Sequence, residues 1–149
     1  MSVIFSRQCE YALQAVLYIT AKGNHGYTDI KEISKKLDIP HHFLAKILQN
    51  LSKRGLLRSQ KGPSGGFALG TSANDITLYN IVESIDGDGF ITKCVLGLPS
   101  CSSSNPCPVH EKWGGLRDEI YKMLSDKTIG EVVEEIQKKS EIKEKLQLA

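Results

Sequence analysis

Between Ser6 and Ala21 the apolar positions Tyr11, Ala12, Ala15, Val16 and Ile19 return at helical spacing, and Gly23 stands where such a helix stops. Thr28 or Asp29 can cap a second, short helix with Ile30, Ile33 and Leu37 on one face, running to about Leu37. Pro40 suits the start of a third helix, because its missing N–H costs nothing there. In that helix Phe43, Leu44, Ile47, Leu48 and Leu51 form an apolar stripe that ends at Gly55. The period then changes. Leu56 to Gln60 and Phe67 to Leu69 read as short strands around the turn-rich Lys61-Gly62-Pro63-Ser64-Gly65-Gly66. Helix, helix-turn-helix and two-stranded wing in that order predict a winged helix-turn-helix, a shape that puts one helix into the DNA major groove.

Further along, Thr77 caps a helix with Leu78, Ile81, Val82 and Ile85 inward, and Gly87 and Gly89 interrupt the chain. A longer helix is expected from about Glu111 to Ser125, carrying Trp113, Leu116, Ile120, Met123 and Leu124, with Trp113 in the core at its base. Thr128-Ile129-Gly130-Glu131 reads as a capping box opening a last helix, and the Lys/Glu-rich tail from Ser140 is expected to fray. The fold class is therefore mainly α with a small β wing. Residues 1–86 are expected to form the DNA-binding domain, 87–110 a cysteine-rich loop, and 111–149 a long helical region with its tail.

Charge sharpens this division. Through Ser72 ten Lys and Arg face four Asp and Glu, a net +6, whereas from Ala73 onward nine face thirteen, a net −4. The basic first half suits a polyanion, and the acidic helical half suits assembly. His41, His42 and Lys46, near the start of the third helix, are the candidates for base readout, with Gln49, Asn50 and Lys53 further along the same face. Lys61, Gly62, Pro63, Ser64, Gly65 and Gly66 of the wing are the candidates for phosphate contact. No apolar run approaches the roughly 20 residues that span a bilayer, and the N-terminus has no signal-peptide pattern, so a cytoplasmic protein without a membrane role is expected.

The candidate chemistry lies in Cys94 to His110, CVLGLPSCSSSNPCPVH, where six residues separate Cys94 from Cys101, five separate Cys101 from Cys107, and two separate Cys107 from His110. In a reducing compartment such a cluster argues for metal ligation or redox chemistry, with zinc and iron-sulfur both suited to the thiolates. Cys9, alone in a helical pattern, reads as a small buried hydrophobe. No Cys-x-x-Cys pair, nucleotide fingerprint or nucleophile-base pairing supports an enzyme or a small-molecule substrate.

The opening segment SRQCEYALQAVLY, the helix from His42 to Leu51, the phrase GLLRSQKGPSGGF and the cysteine triplet together resemble the bacterial winged-helix iron-sulfur regulators that include IscR and NsrR. The resemblance spans nearly everything to Lys139. It implies a homodimeric transcription regulator, most simply a repressor, that binds a dyad-symmetric DNA operator under the control of a cluster on Cys94, Cys101 and Cys107. The IscR pattern makes His110 the fourth ligand and favours 2Fe-2S. The NsrR pattern instead implies 4Fe-4S completed by Glu10 of the partner subunit, here a glutamate where that pattern has aspartate. The stretch between Cys94 and Cys101 is one residue longer than in either pattern. A zinc-stabilised DNA-binding protein without sensing is the competing reading.

Replacing Lys61 with Ala is expected to weaken DNA binding across sequences and to reduce the slope of log affinity against log salt by about one. Replacing His42 with Ala should change which sequences are preferred. Salt-titrated anisotropy on selected and random duplexes distinguishes the two effects.

Overall fold

The computed structural model describes residues 4–23 and 26–139, so the tail from Ser140 lies outside the described residues. Helix α1 (Arg7–Lys22) is capped by the Ser6 hydroxyl, which accepts from Cys9 N–H at 3.1 Å, and stops at Gly23, where φ is 76°. Of the two candidate caps for α2 (Ile30–Leu37), Asp29 is used, accepting from Lys31 N–H at 2.9 Å. Thr28 instead exchanges main-chain hydrogen bonds with Phe67 and adds one residue of pairing to the wing. Asp38 makes the left-handed turn into Ile39 and Pro40, and α3 (His41–Lys53) follows.

The wing is an antiparallel pair, β1 (Leu57–Gln60) and β2 (Gly66–Leu69), with Leu57 opposite Leu69 and Gln60 opposite Gly66. Helix α4 (Leu78–Asp86) begins with a complete capping box, Thr77 accepting from Asn80 N–H and Asn80 accepting from Thr77 N–H. Gly87, with φ 74°, ends α4, but Gly89 does not prolong the break. It starts a one-turn helix, α5 (Gly89–Thr92). After the cysteine loop come α6 (His110–Asp126) and α7 (Ile129–Lys138), the latter capped by Thr128 accepting from Glu131 N–H at 3.2 Å. No helix among the described residues is long and apolar enough to cross a membrane.

The core is organised around α1, which packs against α2, α3, α4 and α7. Ala12 and Ala15 are fully buried, and their small side chains let the neighbouring helices approach. Ile33, Leu44, Leu48, Leu51, Leu57, Ile81 and Ile129 complete the same cluster. Each such burial removes apolar surface from water, contributing roughly 1.5–3 kcal/mol. A second cluster joins Cys9 and Val82 to Leu124 of α6, with Phe5, Phe90 and Ile120 around it.

The expected helix faces need three corrections. Phe43 is 42% exposed, resting against His42 with ring centroids 4.4 Å apart, because it lies to the side of the arc formed by Leu44, Ile47, Leu48 and Leu51. Asn50 turns away from the exposed face of α3, its amide donating to the Ser84 carbonyl at 3.4 Å. On α6, Leu116 and Met123 are 47% and 57% exposed, so the buried side of that helix runs through Trp113 and Leu124 instead.

Gly66 has φ 145°, and a Cβ there would lie 2.1 Å from the Thr28 carbonyl oxygen. Gly66→Ala should therefore lower stability by about 1–3 kcal/mol. Ser64→Ala, at the exposed wing tip, should stay within about 0.5 kcal/mol of wild type, and urea titration of both variants reads the two outcomes.

Candidate metal centre and nucleic-acid interface

The cysteine loop is a succession of short turns. Gly97 N–H donates to the Cys94 carbonyl at 2.9 Å, and Cys101 N–H donates to the Leu98 carbonyl at 3.2 Å. Ser102 and Asn105 exchange two main-chain bonds of 3.2 and 3.1 Å. The lengthened VLGLPS stretch is absorbed in the first two turns, where Gly97 takes φ 73°. These turns bring the sulfurs of Cys94, Cys101 and Cys107 within 4.8 Å of one another. Cys94 Sγ is 3.6 Å from Cys107 Sγ, and Cys107 N–H donates to Cys101 Sγ at 3.4 Å. His110, the first residue of α6, places Nδ1 3.3 Å from Cys101 Sγ. Its backbone N–H donates to the Cys107 carbonyl at 3.1 Å. Three sulfurs and one imidazole thus converge on a cavity of about 380 Å³. Glu10, on α1, is outside this group within one protomer.

The backbone N–H of Leu98 draws the Cys94 thiol down to about 7, opposed by burial and helped by the Leu96 N–H and the Cys107 and Cys101 sulfurs. At Cys101 the Cys107 N–H favours the thiolate, but burial and the neighbouring Cys107 and Cys94 sulfurs outweigh it and the thiol is raised. A set of soft donors this close, with backbone N–H groups aimed at sulfur, fits a thiolate-bound metal or iron-sulfur group.

Two side chains of α6 also line the cavity, Trp113, which the sequence placed in the core, and Arg117, which it did not single out. Trp113 is a neighbour of the sulfurs rather than core alone: it lines the cavity and its indole N–H donates to the Lys93 carbonyl at 3.1 Å, pinning the residue before Cys94. Arg117 lines it as well. The signal was the recurrence of positions 110, 113 and 117 on one helical face.

On α3, His41, His42 and Lys46 are exposed, together with Phe43, Gln49 and Lys53. No side chain caps α3, leaving its first N–H groups available to an anion. Lys61, Gly62, Pro63 and Ser64 are exposed at the wing tip. Gly65 and Gly66 are half-buried by close backbone approach, since a Cβ at either would meet a carbonyl oxygen at 2.1 Å.

The Rrf2 family, described as iron-dependent transcriptional regulators, matches residues 5–135. The chain belongs to the Rrf2 family. An HTH-type transcriptional regulator from Aquifex aeolicus is 39% identical over 134 residues, covering 88% of this chain and 92% of the relative. IscR of Pectobacterium atrosepticum is 32% identical, covering 83% of this chain and 74% of the relative. Among solved structures, the Bacillus subtilis cysteine regulator CymR superposes with a TM-score of 0.76 at 22% identity, covering 89% and 98% of the two chains. The structure of T. potens IscR superposes with 0.72 at 21% identity, covering 91% and 89%. This Rrf2 protein is a DNA-binding transcription regulator with the winged-helix fold, and its relatives are regulators rather than enzymes.

Cys9 contrasts with the three loop cysteines. It is fully buried, and burial first, then the Asp86 and Glu10 carboxylates, push its thiol up to about 12. In the metal-free Rrf2 protein, iodoacetamide at about pH 8 should alkylate the loop thiols at least tenfold faster than Cys9, since the thiolate is the reactive form. Raising the pH from about 8 toward 9 should leave the labelling rate of Cys94 nearly unchanged, since its thiol is already largely ionised, while Cys9 stays far slower as long as the fold persists. Peptide mass spectrometry reads both outcomes.

Proposed function

We propose that this Rrf2 protein is a cytoplasmic homodimeric repressor whose affinity for a dyad-symmetric operator is controlled by an iron-sulfur cluster on Cys94, Cys101 and Cys107. The observation that carries the reading is the convergence of three sulfurs within 4.8 Å of one another in a loop joined directly to α6. His110 is the fourth ligand favoured by position, 3.3 Å from Cys101 Sγ in the same protomer, and that donor set matches 2Fe-2S. Glu10 of the partner subunit is the competing ligand, and goes with 4Fe-4S.

When bound, the cluster supplies a redox-active, chemically labile centre. The protein's own groups do the rest. Trp113 ties the entrance of the loop to α6, and His110 ties its exit, so ligand engagement orders the segment between α5 and α6. On α6, the exposed Leu116 and Met123 flank the half-buried Ile120 and form the apolar strip for a second copy. Reordering the loop repositions α6 pairs, and with them the spacing of two α3 helices on DNA. A coupling of about 1–3 kcal/mol changes operator affinity roughly 5- to 150-fold. The second reading, a structural zinc on the same Cys3His set, has the same donors in its favour.

Protein purified without oxygen should be brown and contain iron and acid-labile sulfide. Colourless protein with stoichiometric zinc would overturn the cluster reading. Cys101→Ala should abolish the visible absorption while keeping the helical circular dichroism. Mössbauer spectra of His110→Ala beside Glu10→Ala identify the fourth ligand as the substitution that alters the iron sites.

A further inference from the structure

The buried side of α6 carries His110, Trp113, Arg117 and Leu124, whereas Lys112, Leu116, Glu119 and Met123 are exposed. An arginine in this inner row stands where packing alone calls for an apolar side chain. Arg117 is half-buried and lines the same cavity as Cys94, Cys101, Cys107 and His110. Its Nε is shielded from solvent and has no hydrogen-bond partner among the described residues. No carboxylate ion-pairs with it among the described residues. Its guanidinium lies back along the helix over Gly114, with one Nη 3.7 Å from the place a Cβ of that residue would take. This backward lean points toward the turn that holds His110.

A polar Nε shielded from water without a partner is costly, and the planar N–H groups of a guanidinium suit charge-assisted hydrogen bonds. The anions this cavity would hold with a cluster bound are cysteine thiolates. The iron offsets part of their charge, and a neutral imidazole offsets none.

We propose that Arg117 is the built-in counter-charge of the three-thiolate site: a positioning residue that holds the ligand sulfurs together and favours the reduced state of the cluster. The inference rests on the cluster reading above. Adding an electron raises the negative charge of the cluster, and a fixed cation lining the same cavity lowers the cost of that addition. Lysine keeps the charge without the planar fork, and glutamine keeps polar donors without the charge.

The test is anaerobic reconstitution of the full chain with ferrous iron and sulfide, as wild type, Arg117→Lys and Arg117→Gln. Iron and sulfide are then assayed, and a mediated dithionite titration is followed by visible and electron paramagnetic resonance spectra. Arg117→Gln is expected to shift the one-electron equilibrium about tenfold toward the oxidised cluster, a midpoint about 59 mV more negative, with Arg117→Lys recovering most of it. Loss of the cluster in Arg117→Gln that Arg117→Lys restores also supports the proposal. A full cluster with the wild-type midpoint in Arg117→Gln overturns it and leaves the cluster reading standing. Equal loss of cluster in both variants overturns it in favour of packing. Wild type that takes up no iron or sulfide overturns the cluster reading, and the inference with it.

Discussion

The structure depends on how the chain after the cysteine loop is fastened back onto the winged helix. Ile129 is fully buried in the core around α1, and its N–H donates to the Ile76 carbonyl at 2.8 Å. Leu78 N–H donates to the Lys127 carbonyl at 3.2 Å, so the starts of α4 and α7 are stitched by main chain. Leu124, one turn earlier, closes the second cluster with Cys9 and Val82. These contacts hold the C-terminal end of α6 against the DNA-binding domain. The Trp113 indole holds the other end of α6 to Lys93. The cysteine loop is thus suspended between two fixed points instead of hanging from a free helix.

That anchoring explains how a loop of turns can present a defined donor set. A segment rich in Ser, Pro and Gly has little packing of its own, and the loop side chains Val95, Leu96 and Leu98 are exposed. Its geometry is set by the two ends and by main-chain bonds inside successive turns. The first turn of α1 is fixed similarly, since Ser6 N–H and its hydroxyl both donate to the Asp86 carboxylate at the end of α4. Glu10 lies in that same turn, so whatever it contacts is referred to a rigid part of the DNA-binding domain.

Much of this was legible because local chemistry agreed with the tertiary solution. Gly23, Thr77 and Thr128 stand at helix boundaries where the sequence implied a stop or a cap, although at Thr128 only the half of the expected capping box in which its hydroxyl accepts from Glu131 N–H is formed. Where several side chains compete for one role, the sequence left the matter open. Thr28 and Asp29 were equal as caps until the pairing of Thr28 with Phe67 removed one of them. Phe43 looked apolar and therefore interior, yet helical spacing alone does not say where the edge of a buried arc falls. Leu116 and Met123 fit a helical period on α6, but hydrophobicity does not distinguish a side buried within one chain from a side left for a second.

The sequence by itself determined the winged-helix order, the basic reading half and the gathering of Cys94, Cys101, Cys107 and His110 into one short loop, because spacing, capping and charge act over a few residues. Only the tertiary structure decided that Trp113 and Arg117 face that loop, that Asn50 turns to α4 and that α7 returns to the core of the DNA-binding domain. Those outcomes depend on which helices meet. That is a matter of packing between residues far apart in the chain, which no local pattern encodes.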